Sequence, residues 1–126
     1  MKCISVKQPW ANMIARGEKT IETRLWMTKH RGQIAIASSA APNICPAGCV
    51  VAIAEIVDCR RMTRSDEAAA GCRIYPGAWA WVLANVERIE PRPVKGQLRI
   101  YQIDLDTLGY LPADKIKGSG LFKETR

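Results

Sequence analysis

The sequence predicts an α+β fold, a small mixed β-barrel of five or six strands with one or two short flanking helices. Short apolar stretches with strand-type alternation or many β-branched residues recur at the spacing typical of small barrels. One stretch near the N-terminus has helical periodicity instead. The chain has 126 residues, 48% of them apolar and 25% charged, which is typical of one globular domain. We therefore expect a single domain over residues 1–126, with its core at about 3–110.

The N-terminal segment predicts a strand followed by a short helix. Residues 3–7 alternate with an apolar bias, as in a strand. Pro9 suits the first turn of a helix, where its missing N–H is not needed. Gly17 is the residue type that ends a helix. Between them, one apolar helical face is formed at i, i+3 and i+4 by Trp10, Met13 and Ile14.

The stretch 20–24 is predicted to be the next strand. Because side chains alternate along a strand, Ile21 and Thr23 share one face, and Glu22 and Arg24 share the other. The same criteria predict the remaining elements, which are strands over 33–38, 50–58, 79–86 and 97–105 and a short helix over 66–70. Two prolines confine 88–96 to an edge or a connector, and residues 118–126 are expected to fray.

The positive charge is concentrated in the first part of the chain. The net charge is +7. Residues 1–49 have seven basic and two acidic residues, a net charge of +5, whereas residues 50–126 have a net charge of only +2. A local excess of this kind favours a polyanionic partner, with nucleic acid first, over the alternative of an ordinary soluble basic domain.

Metal, disulfide and membrane chemistry are not expected. The five cysteines are an odd number, and no secretion signal accompanies them, so a disulfide framework is not predicted. Cys45 and Cys49 are separated by three residues rather than two, and His30 is the only histidine. The apolar runs are too short for a membrane span. We therefore expect a cytoplasmic protein without metal or cofactor.

A charged motif lies at the predicted junction between the first helix and the strand at 20–24. Lys19 follows the helix stop, and Glu22 and Arg24 share a strand face. A carboxylate beside a guanidinium stays ionised and can orient it. We expect these side chains to line one pocket, with phosphate on Lys19 or Arg24 and a base amine or ribose hydroxyl on Glu22. The alternative is a solvated strand face with an ordinary surface ion pair.

Tryptophans offer a second type of nucleic-acid contact. They can stack on unpaired bases, although they more often fill cores. Trp26 lies in a basic connection just after Arg24 and is the best candidate for stacking. Trp10 is predicted to form core or cleft wall, and Trp79 and Trp81 to belong to the core. Secondary candidates for the rim of the pocket are Ser38, Ser39 and Lys95.

Together these pieces resemble the ASCH (activating signal cointegrator homology) family, whose signature is G-x-K-x-x-E-x-R after a short helix. The signature matches Gly17, Lys19, Glu22 and Arg24, and the resemblance extends over about residues 3–105. It includes Gln8-Pro9-Trp10, Arg31-Gly32, the WAWVL strand and the turn at 93–96. It implies a PUA-like β-barrel with a cleft beside the first helix, lined by the signature residues. The implied ligand is single-stranded RNA or a modified nucleotide or nucleoside.

The resemblance also implies an alternative enzymatic function. Some small bacterial members are amidohydrolases that deacetylate N4-acetylcytidine, and others are described as ribonucleases. In the amidohydrolases a threonine stands where this chain has Glu22, and Thr23 is expected to face away from the pocket. An enzyme would then use Lys19 and Glu22 as catalytic residues, with Glu55 or Glu67 as a further carboxylate.

The candidate site combines the motif with its surroundings. Its chemistry requires cations for phosphate, a carboxylate for donors on the base or ribose, and aromatic or amide groups for the base. The candidate ligand-binding residues are Lys7, Gln8, Trp10, Lys19, Glu22, Arg24, Trp26, Ser38 and Lys95.

Overall fold

Strand β1 (Lys2–Val6) leads directly into helix α1 (Trp10–Ala15) in the computed structural model, which describes residues 1–104. The helix buries Ala11 and Ile14 against the sheet. Gly17 has φ +78° and follows the C-cap residue Arg16, and the Glu18 N–H donates to the Met13 carbonyl at 2.8 Å. A left-handed glycine at this position ends the helix, as predicted.

Five further strands complete one sheet. They are β2 (Ile21–Arg24), β3 (Gly32–Ser38), β4 (Cys49–Arg61), β5 (Trp79–Pro93) and β6 (Ile100–Gln102). The strand order is β2-β5-β4-β3-β1-β6, and the sheet curls into a half-barrel. β1 and β3 are parallel, whereas the other pairs are antiparallel, so the sheet is mixed. The predicted fold class is confirmed.

The central strands β4 and β5 are longer than predicted. Their ladder contains three register shifts, which let two long strands bend without separating. The prolines of 88–96 do not end β5, which continues to Pro93. β2 pairs only with 79–82 of this strand, so the second half of β5 lies at an edge, where proline is tolerated.

The strand predicted over 97–105 is present in part, and its start is wrong. Ile100–Gln102 pair with β1, and Ile103 exchanges two backbone hydrogen bonds with Met1. Arg99 has φ +59°, which interrupts an extended backbone, and residues 97–99 form a loop instead. The expected frayed segment 118–126 lies outside the described residues, and the single domain over 1–126 stays a prediction.

A short helical segment connects β4 to β5. A 3₁₀ turn (Arg64–Asp66) is followed by α2 (Glu67–Ala70), close to the predicted helix. The Asp66 carboxylate accepts the Thr63 N–H at 2.8 Å and closes the N-terminal end. At the other end the Thr20 N–H donates to the Ala69 carbonyl at 2.9 Å. This bond brings the last turn of α2 against the start of β2.

The core lies on both faces of the sheet. Along β3, Ile34 and Ile36 pack with Trp81 on the face that carries α1, and Ala35 and Ala37 pack on the opposite face. This is the alternation expected for a strand covered on both sides. Within residues 1–104 no helix is long and apolar enough to cross a membrane.

Candidate ligand-binding site

A cavity of about 730 Å³ lies between α1, the end of β1, β2 and the loop at 94–99. Six of the predicted ligand-binding residues line it, namely Lys7, Trp10, Lys19, Glu22, Arg24 and Ser38. Ser39, which was expected at the rim, lines it as well. The volume of the cavity falls within the range of small-molecule pockets, about 300 to 1,000 Å³.

Lys19 is fully buried beneath this cavity, with only 2% of its side chain exposed. Its Nζ donates to the Ile21 carbonyl at 2.6 Å and to the Ala70 carbonyl, and it lies 3.5 Å from Glu22 Oε1. Two of the three ammonium hydrogens therefore have backbone acceptors, and the Glu22 carboxylate provides an ion-pair partner. Burial lowers the pKa of Lys19, and the Glu22 carboxylate opposes this effect.

Glu22 lies between two cations. Arg24 donates its Nε–H to Glu22 Oε2 at 2.9 Å, and Arg24 Nη2 lies 2.8 Å from the same oxygen. Arg24 Nη2 also donates to the Ser5 carbonyl at 2.7 Å. Because Glu22 and Arg24 project from the same face of a four-residue strand, this geometry follows from their spacing. The expected grouping of Lys19, Glu22 and Arg24 around one cavity is therefore present.

The charged side chains of the cavity wall are predominantly cationic. They are one carboxylate and four cations, and the cations are Lys7, Lys19, Arg24 and Arg99. On the β1 side, Ser5 Oγ lies 2.7 Å from Tyr101 Oη, and burial raises the pKa of Tyr101 to about 12. The tyrosine therefore remains a neutral hydrogen-bonding group that fixes Ser5 at ordinary pH.

Three predicted residues lie away from the cavity lining. Gln8 is buried and accepts the Asn12 N–H at 2.9 Å, while its amide donates to the Pro46 carbonyl at 3.0 Å. It therefore supports α1. Lys95 is exposed between two lining residues but is not one itself. Trp26 packs edge-on against Trp81, with ring centroids 4.7 Å apart.

The two carboxylates considered as further catalytic groups also lie outside the cavity lining. Glu67 Oε2 accepts the Ile74 N–H at 2.8 Å, so it supports the loop after α2. Glu55 lies in the middle of β4, between Gln33 of β3 and Ala84 of β5. Neither lines the cavity.

The structure adds residues that the sequence did not indicate. Cys72 and Tyr75, from the loop after α2, and Arg99, from the loop before β6, line the cavity. Thr23 lines it too, contrary to the expectation that it faces away, and its Oγ1 lies 3.8 Å from Cys72 Sγ. β2 ends the sheet, so the loop after α2 can fold around it. Within the 94–99 loop, Gly96 is a residue type that can indicate a close approach of the backbone. A Cβ at this position would lie 3.3 Å from Ser5 Oγ.

Metal-ligating groups do not cluster in the part of the chain that the structure describes. No group of three or more histidine, cysteine or acidic residues there could hold an ion. The five cysteines are free thiols, and Cys3 is the most deeply buried. Burial raises its pKa to about 11, so it is an unreactive core residue.

Comparison with known proteins is consistent with this geometry. The family model of the ASCH domain matches residues 4–93, which include the helix, β2 and most of the cavity. The chain belongs to the ASCH domain family. Membership supports an RNA-binding type of domain in general terms.

The relatives in which this domain occurs are much longer. Activating signal cointegrator 1 of Homo sapiens is 27% identical over 128 aligned positions, and that of Mus musculus is 25% identical. Each alignment covers 81% of this chain but 22% of the relative, so the chain spans about a fifth of their length.

Solved structures show the same fold. The crystal structure of ASCH from Zymomonas mobilis is 16% identical and has a TM-score of 0.62, covering 83% of this chain and 88% of that one. A mutant of that protein is 15% identical with a TM-score of 0.62, covering 82% and 89%.

Proposed function

We propose that this ASCH domain binds a single nucleotide unit of RNA in the cavity. The observation that carries the proposal is the fixed Lys19–Glu22–Arg24 cluster at the cavity wall. A carboxylate held between two cations is ionised and accepts hydrogen bonds, while the surrounding cations attract phosphate. These are the two kinds of contact by which nucleotides are recognised.

Each member of the cluster has a different role in this proposal. Lys19 is buried, donates to two backbone carbonyls and pairs with Glu22, so it holds Glu22 in position rather than binding the ligand first. Glu22 retains acceptor capacity for a base amine or a ribose hydroxyl. Arg24 is partly exposed and, together with Lys7 and Arg99, provides donors for phosphate oxygens. Trp10 and Tyr75 provide apolar wall for the base or sugar.

Calorimetric titration with the four nucleoside 5′-monophosphates tests the proposal. We expect wild-type protein to bind at least one of them and Glu22→Gln to weaken that binding by about tenfold or more, because a hydrogen bond to a charged group is lost. Glu18→Gln is the matched control, since that carboxylate is exposed and outside the cavity. Equal affinities of wild type and Glu22→Gln, with both proteins folded, would contradict it.

Salt dependence separates phosphate contacts from contacts to the base. If the cations of the cavity grip phosphate, the affinity for single-stranded RNA falls steeply between low and moderate salt. The expectation rests on the excess of cations around the cavity and on the net charge of +5 in residues 1–49. An affinity that stays flat over this range would remove phosphate contacts from the proposal.

An amide hydrolase is the second candidate, and two observations favour it. Burial lowers the pKa of Lys19, and Thr23 lines the same cavity. A lysine that has lost its proton could accept the proton of a hydroxyl or of water. Against this, two carbonyl acceptors and the Glu22 carboxylate around Nζ favour the ammonium form. Incubation with N4-acetylcytidine tests the amide hydrolase, because hydrolysis consumes water and releases cytidine and acetate. A labelled oligoribonucleotide in the same assay reports ribonuclease activity.

A further inference from the structure

Two tryptophan rings outside the cavity each carry an arginine guanidinium over one face. Arg99 Cζ lies 4.0 Å from the ring centroid of Trp26, and Arg61 Cζ lies 4.4 Å from that of Trp79. Both arginines are exposed, and both tryptophans are partly buried against the core. A guanidinium that lies on a ring is held by cation–π attraction and is less free than an ordinary surface arginine.

The two pairs are connected through Trp81, and one of them borders the cavity. Arg99 lines the cavity, and its partner Trp26 contacts Trp81, whose Nε1 donates to the Trp26 carbonyl at 3.2 Å. Trp79 and Trp81 are two residues apart on β5, so they share a face at a separation of about 7 Å.

The second pair is tied to the cavity through the strand ladder. Trp79 pairs with Arg24 of β2 on one side and with Arg61 of β4 on the other. Residues directly opposite each other in a ladder project from the same face. Arg24, which lines the cavity, therefore begins a row that continues through Trp79 to Arg61.

A guanidinium that rests on an indole presents its other side to solvent. Unpaired bases stack on arginine planes as well as on aromatic rings, and the arginine charge is then also near the phosphates. In Trp26 one ring face is covered by Arg99, so a base would meet the guanidinium rather than the indole.

We propose that Arg99 on Trp26 and Arg61 on Trp79 form an arginine–tryptophan track that stacks the bases flanking the nucleotide in the cavity. The proposal rests on the proposed function and extends it from one nucleotide to a single-stranded RNA segment. Arg61 adds a cation to this row outside the cavity, where it can attract a phosphate backbone, whereas its neighbour Arg60 is already paired with Asp58 and Asp66. An acidic protein segment would be bound by the positive charge of the arginines and would not need their planar stacking on the tryptophans.

Arg61 is the discriminating residue, because it belongs to the track but does not line the cavity. The probes are a fluorescein-labelled octaribonucleotide of random sequence, read by anisotropy, and the four nucleoside 5′-monophosphates. Arg61→Ala removes both the positive charge and the planar guanidinium, whereas Arg61→Lys keeps the charge and removes the planar group. Arg88→Ala is the matched control, an exposed arginine on β5 nine residues from Trp79.

We expect both Arg61 variants to bind the octaribonucleotide about 5- to 20-fold more weakly than wild type, the effect of losing one stacked base. Their affinity for monophosphates should equal that of wild type, and Arg88→Ala should leave both affinities unchanged. Wild-type affinity in Arg61→Lys would overturn the track, because charge alone would then account for binding. Polyglutamate that competes fully with RNA, equally in wild type and Arg61→Lys, would overturn it in favour of an acidic protein partner.

The two proposals fail in different ways. If Arg61→Lys loses octaribonucleotide affinity while Glu22→Gln binds monophosphates like wild type, the track stands and the cavity proposal falls. If Glu22→Gln loses monophosphate affinity while both Arg61 variants bind the octaribonucleotide like wild type, the cavity stands and the track falls. If wild-type protein binds neither probe, both are overturned.

Discussion

Two ion pairs, each between a basic residue and a glutamate, are neighbours in the sequence but have very different surroundings. Arg16 and Glu18 pair at 3.0 Å with 46% and 54% of their side chains exposed. Lys19 and Glu22 pair at 3.5 Å with 2% and 9% exposed, and Arg24 joins them with 24% exposed. In water the attraction of an ion pair is largely offset by hydration and side-chain entropy. In the buried group, removing one partner leaves the remaining buried charge with less compensation.

The comparison shows that burial and the surrounding backbone, rather than charge pattern, distinguish the cluster at the cavity from a surface pair. Both pairs follow the end of α1, and both would be described as Arg or Lys beside Glu. Only the buried one has additional backbone acceptors, supplied by Ile21 and Ala70. Three substitutions sharpen the comparison, and their expected effects decrease in order.

Lys19→Ala is expected to have the largest effect. It leaves Glu22 buried with one cation fewer and leaves the Ile21 and Ala70 carbonyls without their shared donor. Breaking a buried ion pair by removing one partner costs about 3–5 kcal/mol. Urea denaturation should show a loss of this size in the free energy of unfolding. A loss below about 1 kcal/mol would place the cluster with ordinary surface pairs.

Asp66→Asn is expected to have an intermediate effect that depends on pH. Arg60 donates two hydrogen bonds to the buried Asp66 carboxylate, and Thr63 donates from its backbone. Hydrogen bonds from Arg60 and Thr63 hold the pKa of Asp66 below its ordinary value. The loss at pH 7 should be about 1–3 kcal/mol, as for hydrogen bonds to a charged group.

The sign of the pH dependence follows from the lowered pKa of Asp66. Its contribution is fully present above the unfolded-state pKa of about 3.9 and is lost as pH falls toward the folded-state pKa. The difference in stability between wild type and Asp66→Asn should therefore shrink as pH is lowered below about 4. Denaturation curves of both proteins at pH 7 and at successively lower pH check this, and a constant difference would contradict it.

Glu18→Gln is expected to have the smallest effect. Its partner Arg16 is about half exposed and remains hydrated when the carboxylate is lost. The change in the free energy of unfolding should stay below about 0.5 kcal/mol, within the range for exposed pairs. A loss comparable to that of Lys19→Ala would mean that exposure does not separate the two pairs. Thermal melting at low and high salt measures the stability changes caused by Glu18→Gln and by Lys19→Ala.

Much of the architecture was predictable because it depends on local patterns. The apolar face of Trp10, Met13 and Ile14 and the glycine after it predicted α1, and the alternation in 20–24 predicted β2. The limits of β4 and β5 were missed because bulges, not residue preferences, let these strands continue. Arg99 was placed in a strand because its positive φ has no signal in a non-glycine residue.

The candidate site was predicted to a similar extent. The spacing of Glu22 and Arg24 placed them on one face, and their neighbour Lys19 was correctly grouped with them around one cavity. Tyr75 and Arg99 were missed because their segments have no motif and reach the cavity only through the path of their loops. Gln8 was interpreted as a ligand contact, whereas its amide is used by α1 and by the Pro46 carbonyl.

The sequence by itself determined the approximate positions of the strands, the first helix and the order of charges in the Gly17–Arg24 motif, because each depends on residues at most a few positions apart. Tertiary structure decided which charges are buried and what they bind. The Ala70 carbonyl comes to Lys19 from 51 residues away, Ser5 to Arg24 from 19 residues away, and Arg99 to Trp26 from the far end of the described chain. Such contacts depend on strand order and loop path, which local residue preferences do not encode.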